Sequence, residues 1–319
     1  MGEVNGGMEQ MIGASSLRDV LGECLCEAGR SEPNLVVLDA DLSRSTKTAA
    51  FAAEFPERFI DVGIAEQNLI GVAAGLALGG KIPVAATFSV FYSRCLDQVR
   101  QSIAYTGLNV KLVGTHSGVS NGKDGATHHA LFDLACFRAL PGIAIINPGD
   151  PLELRQLFPQ ILNYRGPCYL RVTREALPPQ AGPEAVLGKG RVLKEGSDAV
   201  ICATGMMVSR SIQAAGDLDI LGISTGVISF HTLRPFDEDL LITHLRSRRA
   251  VVTAEDHNSA GGLGCLVSEL VGRTKPVPVV RVSSGDALGD TGTADEIYQA
   301  LGLTSEAIVD AVLRALKIR

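Results

Sequence analysis

"KIPVAATFSVFYSRCLDQVRQSIAYTGLNVKLVGT" occupies residues 81–115. Two runs in it, KIPVAAT (81–87) and NVKLVGT (109–115), read as strands, and FYSRCLDQVRQSIAY (91–105) between them reads as a helix. A strand–helix–strand unit is the building block of a parallel sheet. The alternation continues outward in both directions. Upstream lie a helix-like SLRDVLGECLCEAG (16–29), a strand-like NLVVLD (34–39) and a helix-like EQNLIGVAAGLALG (66–79). Downstream, GIAIINP (142–148) and PCYLRVT (167–173) read as strands around the helix DPLELRQLFPQILNY (150–164). The Pro- and Gly-rich ALPPQAGPEAVLGKG (176–190) reads as a connector. Beyond it, DAVICAT, STGVISF, AVVTAED and PVPVVRV read as strands, and DEDLLITHLRS and TSEAIVDAVLRAL as helices. The expected architecture is α/β, with two domains of mainly parallel sheets flanked by helices. Their expected bounds are 10–178 and 191–319, joined by a linker over 179–190.

Composition agrees with two domains. The chain has 319 residues, is 46% hydrophobic and has a mean hydropathy of +0.20, against a typical domain of ~150 residues. A net charge of −6 without a basic cluster argues against nucleic acid. The longest apolar run, Leu69–Gly80, has twelve residues, and a membrane helix needs ~20, so no span is expected. The N-terminus lacks the cationic and apolar regions of a signal peptide, and Gly6 breaks the myristoylation pattern. The seven cysteines (24, 26, 95, 136, 168, 202 and 265) include no C-x-x-C and no zinc-ligand spacing. They are expected to be buried reduced thiols of a cytoplasmic protein.

Three segments stand out chemically. In DVGIAEQN (61–68), Glu66 stands at the mouth of the apolar run. A carboxylate there is costly unless it is paired, protonated or at work. Gly71, Gly75 and Gly79 form one smooth stripe on the same helix, suited to close packing inside the chain or at a subunit interface. The loop GTHSGVSNGKDGATHHALFD (114–133) gathers His116, Asp124, His128 and His129 among four glycines, at the carboxyl end of a strand, where α/β proteins bind ligands. It also contains G-x-S-x-G, but polar flanks replace the strand and helix that a Ser120 nucleophile needs. GGLGCL (261–266) is either a phosphate cradle or a helix start.

Six segments match a known family in order: DADLS (39–43), VGIAEQN (62–68), TFSVFYSR (87–94), GTHSGVSNGKDGATHH (114–129), LPGIAIINPGD (140–150) and LRVTREALP (170–178). Together they resemble the C-terminal half of transketolase, that is, its pyrimidine-binding and C-terminal domains. The resemblance runs from about Ser15 onward. It implies a thiamine-diphosphate enzyme in which Glu66 hydrogen-bonds the aminopyrimidine ring and so favours the imino form that activates the thiazolium carbon. Apolar surroundings disfavour a charged carboxylate at such a place. It implies that Phe88 and Phe91 include the ring that stacks on the pyrimidine, and that Asp41 and Arg94 border the cofactor. Asp124 and His128 match the pair that contacts the sugar hydroxyls, and His129 stands where the family usually has Gln. His116, Ser45 and Arg174 match the sugar-phosphate pocket. At about Ser16 the family has an arginine, so a weakened phosphate site is expected unless Arg18 or Arg44 substitutes.

The G-D-G motif that holds the diphosphate and Mg2+ in such enzymes is absent from the sequence. The resemblance therefore implies a companion chain, the N-terminal, diphosphate-binding transketolase subunit, which supplies most ligands of Mg2+ and diphosphate. Two copies of each chain would form an α2β2 heterotetramer acting on a sugar or sugar phosphate, with no nucleic-acid or membrane partner. The expected reaction is transfer of a two-carbon ketol unit. The alternatives are a subunit like deoxyxylulose-phosphate synthase or the beta subunit of a 2-oxo acid dehydrogenase, a non-catalytic regulatory partner, and a serine hydrolase. KDGATHH (123–129) favours transketolase over the dehydrogenases.

Overall fold

The computed structural model of the chain describes residues 13–317. The N-terminal segment weighed above, the start expected for the first domain and the last two residues lie outside that range. Eight strands come from the first half: β1 (Ser15–Ser16), β2 (Leu35–Asp39), β3 (Phe59–Asp61), β4 (Ile82–Phe88), β5 (Lys111–Thr115), β6 (Ala144–Ile146), β7 (Cys168–Val172) and β8 (Ala176–Leu177). Six follow: β9 (Arg191–Lys194), β10 (Ala199–Ala203), β11 (Thr225–Ser229), β12 (Thr232–Arg234), β13 (Ala250–Ala254) and β14 (Val279–Val282).

The larger sheet has the order β12-β6-β7-β5-β4-β2-β3 and is parallel except at β12. Its inner strands β2, β5, β6 and β7 are buried along their whole length because both faces are covered, and most of their residues are apolar. Leu35 and Val37 of β2 join one core, while Val36 and Leu38 join the other, as the two-residue side-chain period requires. The helices Leu17–Ser31 and Pro151–Asn163 feed the first core, and Glu66–Leu78 feeds the second. The helix at Pro151 starts where its sequence says. Asp150 accepts from the amides of Leu152 (2.7 Å) and Glu153 (3.0 Å), and proline fills the first turn. The second sheet, β14-β13-β10-β11-β9, is parallel except for β9.

Three features depart from a simple reading of the chain. Strand β12, from the second half, pairs antiparallel with β6 and so extends the first sheet. Within the expected connector, β8 pairs with β1, setting Leu177 opposite Ser15. Residues 91–105 are not one regular helix: a 3₁₀ segment Ser89–Cys95, a short α segment Leu96–Gln98 and a π segment Val99–Ala104 follow each other. The tight 3₁₀ winding eclipses side chains three residues apart, which sets the rings of Phe88 and Phe91 face to face at 5.6 Å and 7°.

A buried cation locks the halves together. Arg171 on β7 donates to Asp133 (2.8 Å), and across the domain boundary to the Asp256 carboxylate (2.6 Å) and carbonyl (3.0 Å). Gly118 lies against this clamp; a Cβ there would come within 2.2 Å of an Asp256 oxygen. No helix among the described residues is long and apolar enough to cross a membrane.

Candidate active site

The carboxyl ends of β2, β4 and β5 carry the residues singled out by sequence. Asp39 closes β2 and organises the next turn. Its carboxylate accepts from the Leu42 amide (2.6 Å) and from the hydroxyls of Thr46 (2.6 Å) and Thr48 (2.8 Å). Asp41 is thereby held exposed at φ +60°, its amide donating to Asp61 at 3.0 Å. Ser45 follows, half-buried.

Glu66 is the first residue of its helix and is 3% exposed. Arg94, at the end of the 3₁₀ segment, donates to its Oε2 at 3.3 Å, and the arginine side chain is 61% exposed. The carboxylate's second oxygen takes no hydrogen bond from the described residues. Phe88 packs on His116 at 3.8 Å, and His128 presents its ring edge-on to Phe91 at 5.5 Å. Glu66, Arg94, Phe88, Phe91, His116 and His128 thus belong to adjoining elements at one rim.

His116 is held in a left-handed conformation, φ +55°, that non-glycine residues seldom adopt. Its ring is 2% exposed. Burial, then the charges of Arg18 and Arg174, push its pKa down to about 3. The ring is therefore neutral near pH 7, and its neighbours decide the tautomer. Arg18 can only donate, so Nε2, 3.1 Å away, accepts. Nδ1 then carries the proton and donates to Thr115 Oγ1 at 3.0 Å. Arg18 meets His116 through the packing of two elements 98 positions apart, a contact that no local pattern announces. Ser16, the position at which an arginine was expected, donates to the carbonyl of Arg174 at 3.0 Å. Arg44 lines a different cleft with Asp19, Lys47 and Glu54.

Asp124 ends an exposed turn, and His128 ends the next one, its Nδ1 3.0 Å from the Thr127 hydroxyl. Asn121 props this loop by donating to the His128 carbonyl, a role with no sequence signal. A cleft of about 390 Å³ separates the loop from the second domain, lined by Ser120, Lys123, Asp124, Arg174, Glu175 and Thr293.

The structure sets one expected residue apart from the rim. His129 is 2% exposed and packs against Gly289, where a Cβ would lie 2.1 Å from its Nδ1. It lies beneath the second domain, unlike half-buried His128. Ser120 is no nucleophile: it is 2% exposed, donates to the Ser117 carbonyl (2.7 Å) and accepts from the Arg174 amide (3.2 Å). GGLGCL begins the helix Leu263–Thr274, and the Glu255 carboxylate already takes the amides of Leu263 (2.7 Å) and Gly264 (2.8 Å). A phosphate cradle is ruled out there because a carboxylate fills it. All seven cysteines are free; five are buried, while Cys136 and Cys265 are partly accessible.

Comparison with known proteins places this geometry. Residues 14–180 match the transketolase pyrimidine binding domain, and residues 188–308 match the transketolase C-terminal domain. The chain belongs to the transketolase family, whose chemistry is ketol transfer dependent on thiamine diphosphate. It is 42% identical to the 6-deoxy-6-sulfo-D-fructose transketolase subunit SqwH of Clostridium sp. (strain MSTE9), over 92% of each chain. A solved structure described as a split gene transketolase, an inactive beta4 tetramer, is 42% identical with a TM-score of 0.87, covering 96% of this chain and 99% of that one. The 1-deoxy-D-xylulose-5-phosphate synthase of Desulfitobacterium hafniense (strain DSM 10664 / DCB-2) is 34% identical over 92% of this chain, which spans 47% of that enzyme.

Proposed function

We propose that this chain is the C-terminal, beta-like subunit of a split transketolase. It would move a two-carbon ketol unit from a ketose to an aldose with thiamine diphosphate held between it and a companion chain. The observation that carries this reading is a buried carboxylate with one unspent oxygen, Glu66, on the element packed beside the stacked rings of Phe88 and Phe91.

The residues present fit the cofactor's ring end. Half-exposed Phe91 offers a flat apolar surface to a heteroaromatic ring. The free oxygen of Glu66 suits a ring nitrogen that shares a proton. Bound thiamine diphosphate supplies a nucleophilic carbon that stabilises the transferred unit. Glu66 holds the proton at the pyrimidine ring, and Phe88 backs the platform. Arg94 and Asp41 border it, Arg94 setting the charge beside Glu66. Asp124 and His128 orient the sugar hydroxyls, and His116, Ser45 and Arg174 receive the far end of the substrate. His129 supports the loop rather than the sugar.

The diphosphate and Mg2+ belong to a companion carrying the G-D-G that this sequence lacks. Assembly as α2β2 is supported by the glycine stripe. Gly71 and Gly75 are exposed, and a Cβ at either would meet nothing within 4 Å, so the stripe does not pack inside this chain. With Ile64 and Leu78, each 76% exposed, it makes an open apolar face. Free thiols without disulfides fit a cytoplasmic location.

Calorimetry of the isolated chain with thiamine diphosphate and Mg2+ tests the division of labour. No tight binding is expected until the companion is added; micromolar affinity of the chain alone would overturn it. Gly75→Leu should break the complex in light scattering and abolish turnover together. A fully active one-plus-one heterodimer would refute the tetramer.

A further inference from the structure

The two turns that carry Asp124 and His128 have an open side and a covered side. Asp124 is exposed and His128 half-buried, whereas Gly122, Gly125 and His129 are buried. The covered side lies against one segment of the second domain, residues 289–294. Three close approaches define the fit. A Cβ on Gly122 would come within 3.0 Å of the Ala294 nitrogen, one on Gly125 within 2.6 Å of Thr291 Oγ1, and one on Gly289 within 2.1 Å of His129 Nδ1. Gly125 and Gly289 also stand at φ +81° and +90°, where a side chain is strained. The second-domain segment is itself held. Thr293 caps the helix Ala294–Ala300, its amide donating to the Glu296 carboxylate at 2.8 Å and its hydroxyl accepting from the Glu296 amide at 3.3 Å. His129 is the large side chain in this contact. Its two ring nitrogens are buried without a hydrogen bond of good geometry. Burial pushes its pKa below the ordinary value, and the backbones of Gly122 and Leu288, one from each domain, only partly offset this. The ring is therefore neutral near pH 7 and acts by shape rather than by charge.

We infer that His129 is a positioning residue: wedged against Gly289, it lets the second domain set where Asp124 and His128 stand over the sugar. The inference deepens the transketolase reading and rests on it. Asp124 closes the turn that begins at Gly122, and His128 directly precedes His129, so a displaced ring moves both. A close-packed contact transmits such a shift instead of absorbing it. A misplacement of about 1 Å, even far from the reacting atoms, can cost about 10²-fold in rate. Glu66 and Phe91 stand on other elements, so the hold on the cofactor ring should not follow the wedge. The second domain thereby takes part in sugar recognition through packing.

The test uses the complex assembled with its companion and the fastest wild-type donor among erythrulose, fructose 6-phosphate and 6-deoxy-6-sulfofructose. In His129→Ala, kcat/KM for that donor should fall by about 10- to 100-fold, the larger part in KM. Affinity for thiamine diphosphate should stay at the wild-type value. His129→Gln fills much of the same space and can donate to both neighbouring backbones, so it should recover most of the loss. Gly289→Ala, in the other domain, drives a methyl into the ring and should also lower kcat/KM. In the His129→Ala background the same change should add little, because the ring it strikes is gone. Strain from alanine at φ +90° is common to both backgrounds and cancels in that comparison. If His129→Ala does not assemble, Gly289→Ala with the histidine intact decides alone. Wild-type kcat/KM in Gly289→Ala would overturn the inference, as would losses that multiply in the double variant. A fall in cofactor affinity parallel to kcat/KM would also overturn it, showing that His129 only fills the core. Wild-type complex that transfers from none of the ketoses would instead overturn the transketolase reading.

Discussion

Two guanidinium–carboxylate centres in this chain have the same chemistry and opposite designs. At the domain boundary, Arg171, Asp133 and Asp256 have side chains only 0%, 2% and 1% exposed. Every nitrogen of the arginine is spent, Nη2 going to the carbonyls of Ala130 and Asp256. Burial works against its charge, but the two carboxylates outweigh burial and push its pKa up. At the rim, Arg94 reaches Glu66 with one contact at 3.3 Å, and its own side chain is 61% exposed. The first centre resists change because water cannot replace what is lost. The second can open, because a solvated arginine loses little when it leaves. The difference lies in the cation: Arg171 is buried with every nitrogen used, whereas Arg94 is exposed and holds Glu66 by a single contact.

The largest effect is expected from Arg171→Met, which strands two buried carboxylates. It should cost about 3–5 kcal/mol, read as a lower urea midpoint with unchanged slope. A cost below about 1 kcal/mol would mean the two centres are alike.

Glu66→Gln should leave that midpoint nearly unmoved and cut turnover of the assembled complex by about 10²–10⁴, the scale of a lost proton-transfer group. Near-wild-type turnover would remove Glu66 from the chemistry.

A smaller effect should follow pH through His116, whose folded pKa is about 3, against ~6.5 when unfolded. Between these values the unfolded state binds the extra proton, so stability falls as pH falls. This group should contribute up to about 1.4 kcal/mol per pH unit. His116→Asn should flatten the pH dependence between about 6 and 4; an unchanged slope would show a ring that is protonated when folded.

Least of all, Arg94→Ala should shift stability by less than about 1 kcal/mol, since its partner contact is single and wet. A loss as large as that of Arg171→Met would erase the contrast between lock and site.

The alternation of strands and helices was legible because parallel strands buried on both faces read as predominantly apolar runs, as in Leu35–Leu38 and, around Arg171, in Cys168–Val172. The helix at Pro151 was legible from its Asp-Pro start. Short strands were not: β1, β8 and β12 have two or three residues each, too few to show a period. Their pairing exists because a distant segment offers an edge. The broken winding of Ser89–Ala104 was also hidden, since its composition suits an ordinary helix.

For the site, sequence by itself determined which side chains were candidates, because a lone glutamate before an apolar helix and a histidine-rich glycine loop are anomalies of composition. Tertiary structure decided which of them share a space. It turned His129 under Gly289 while leaving His128 beside Phe91, a distinction that adjacent identical residues cannot encode locally. It also brought Arg18 to His116 across 98 positions and drew Arg171 to Asp256 across 85. Such contacts depend on how sheets and helices stack, and the charge they satisfy or leave open exists only once water has been excluded around them.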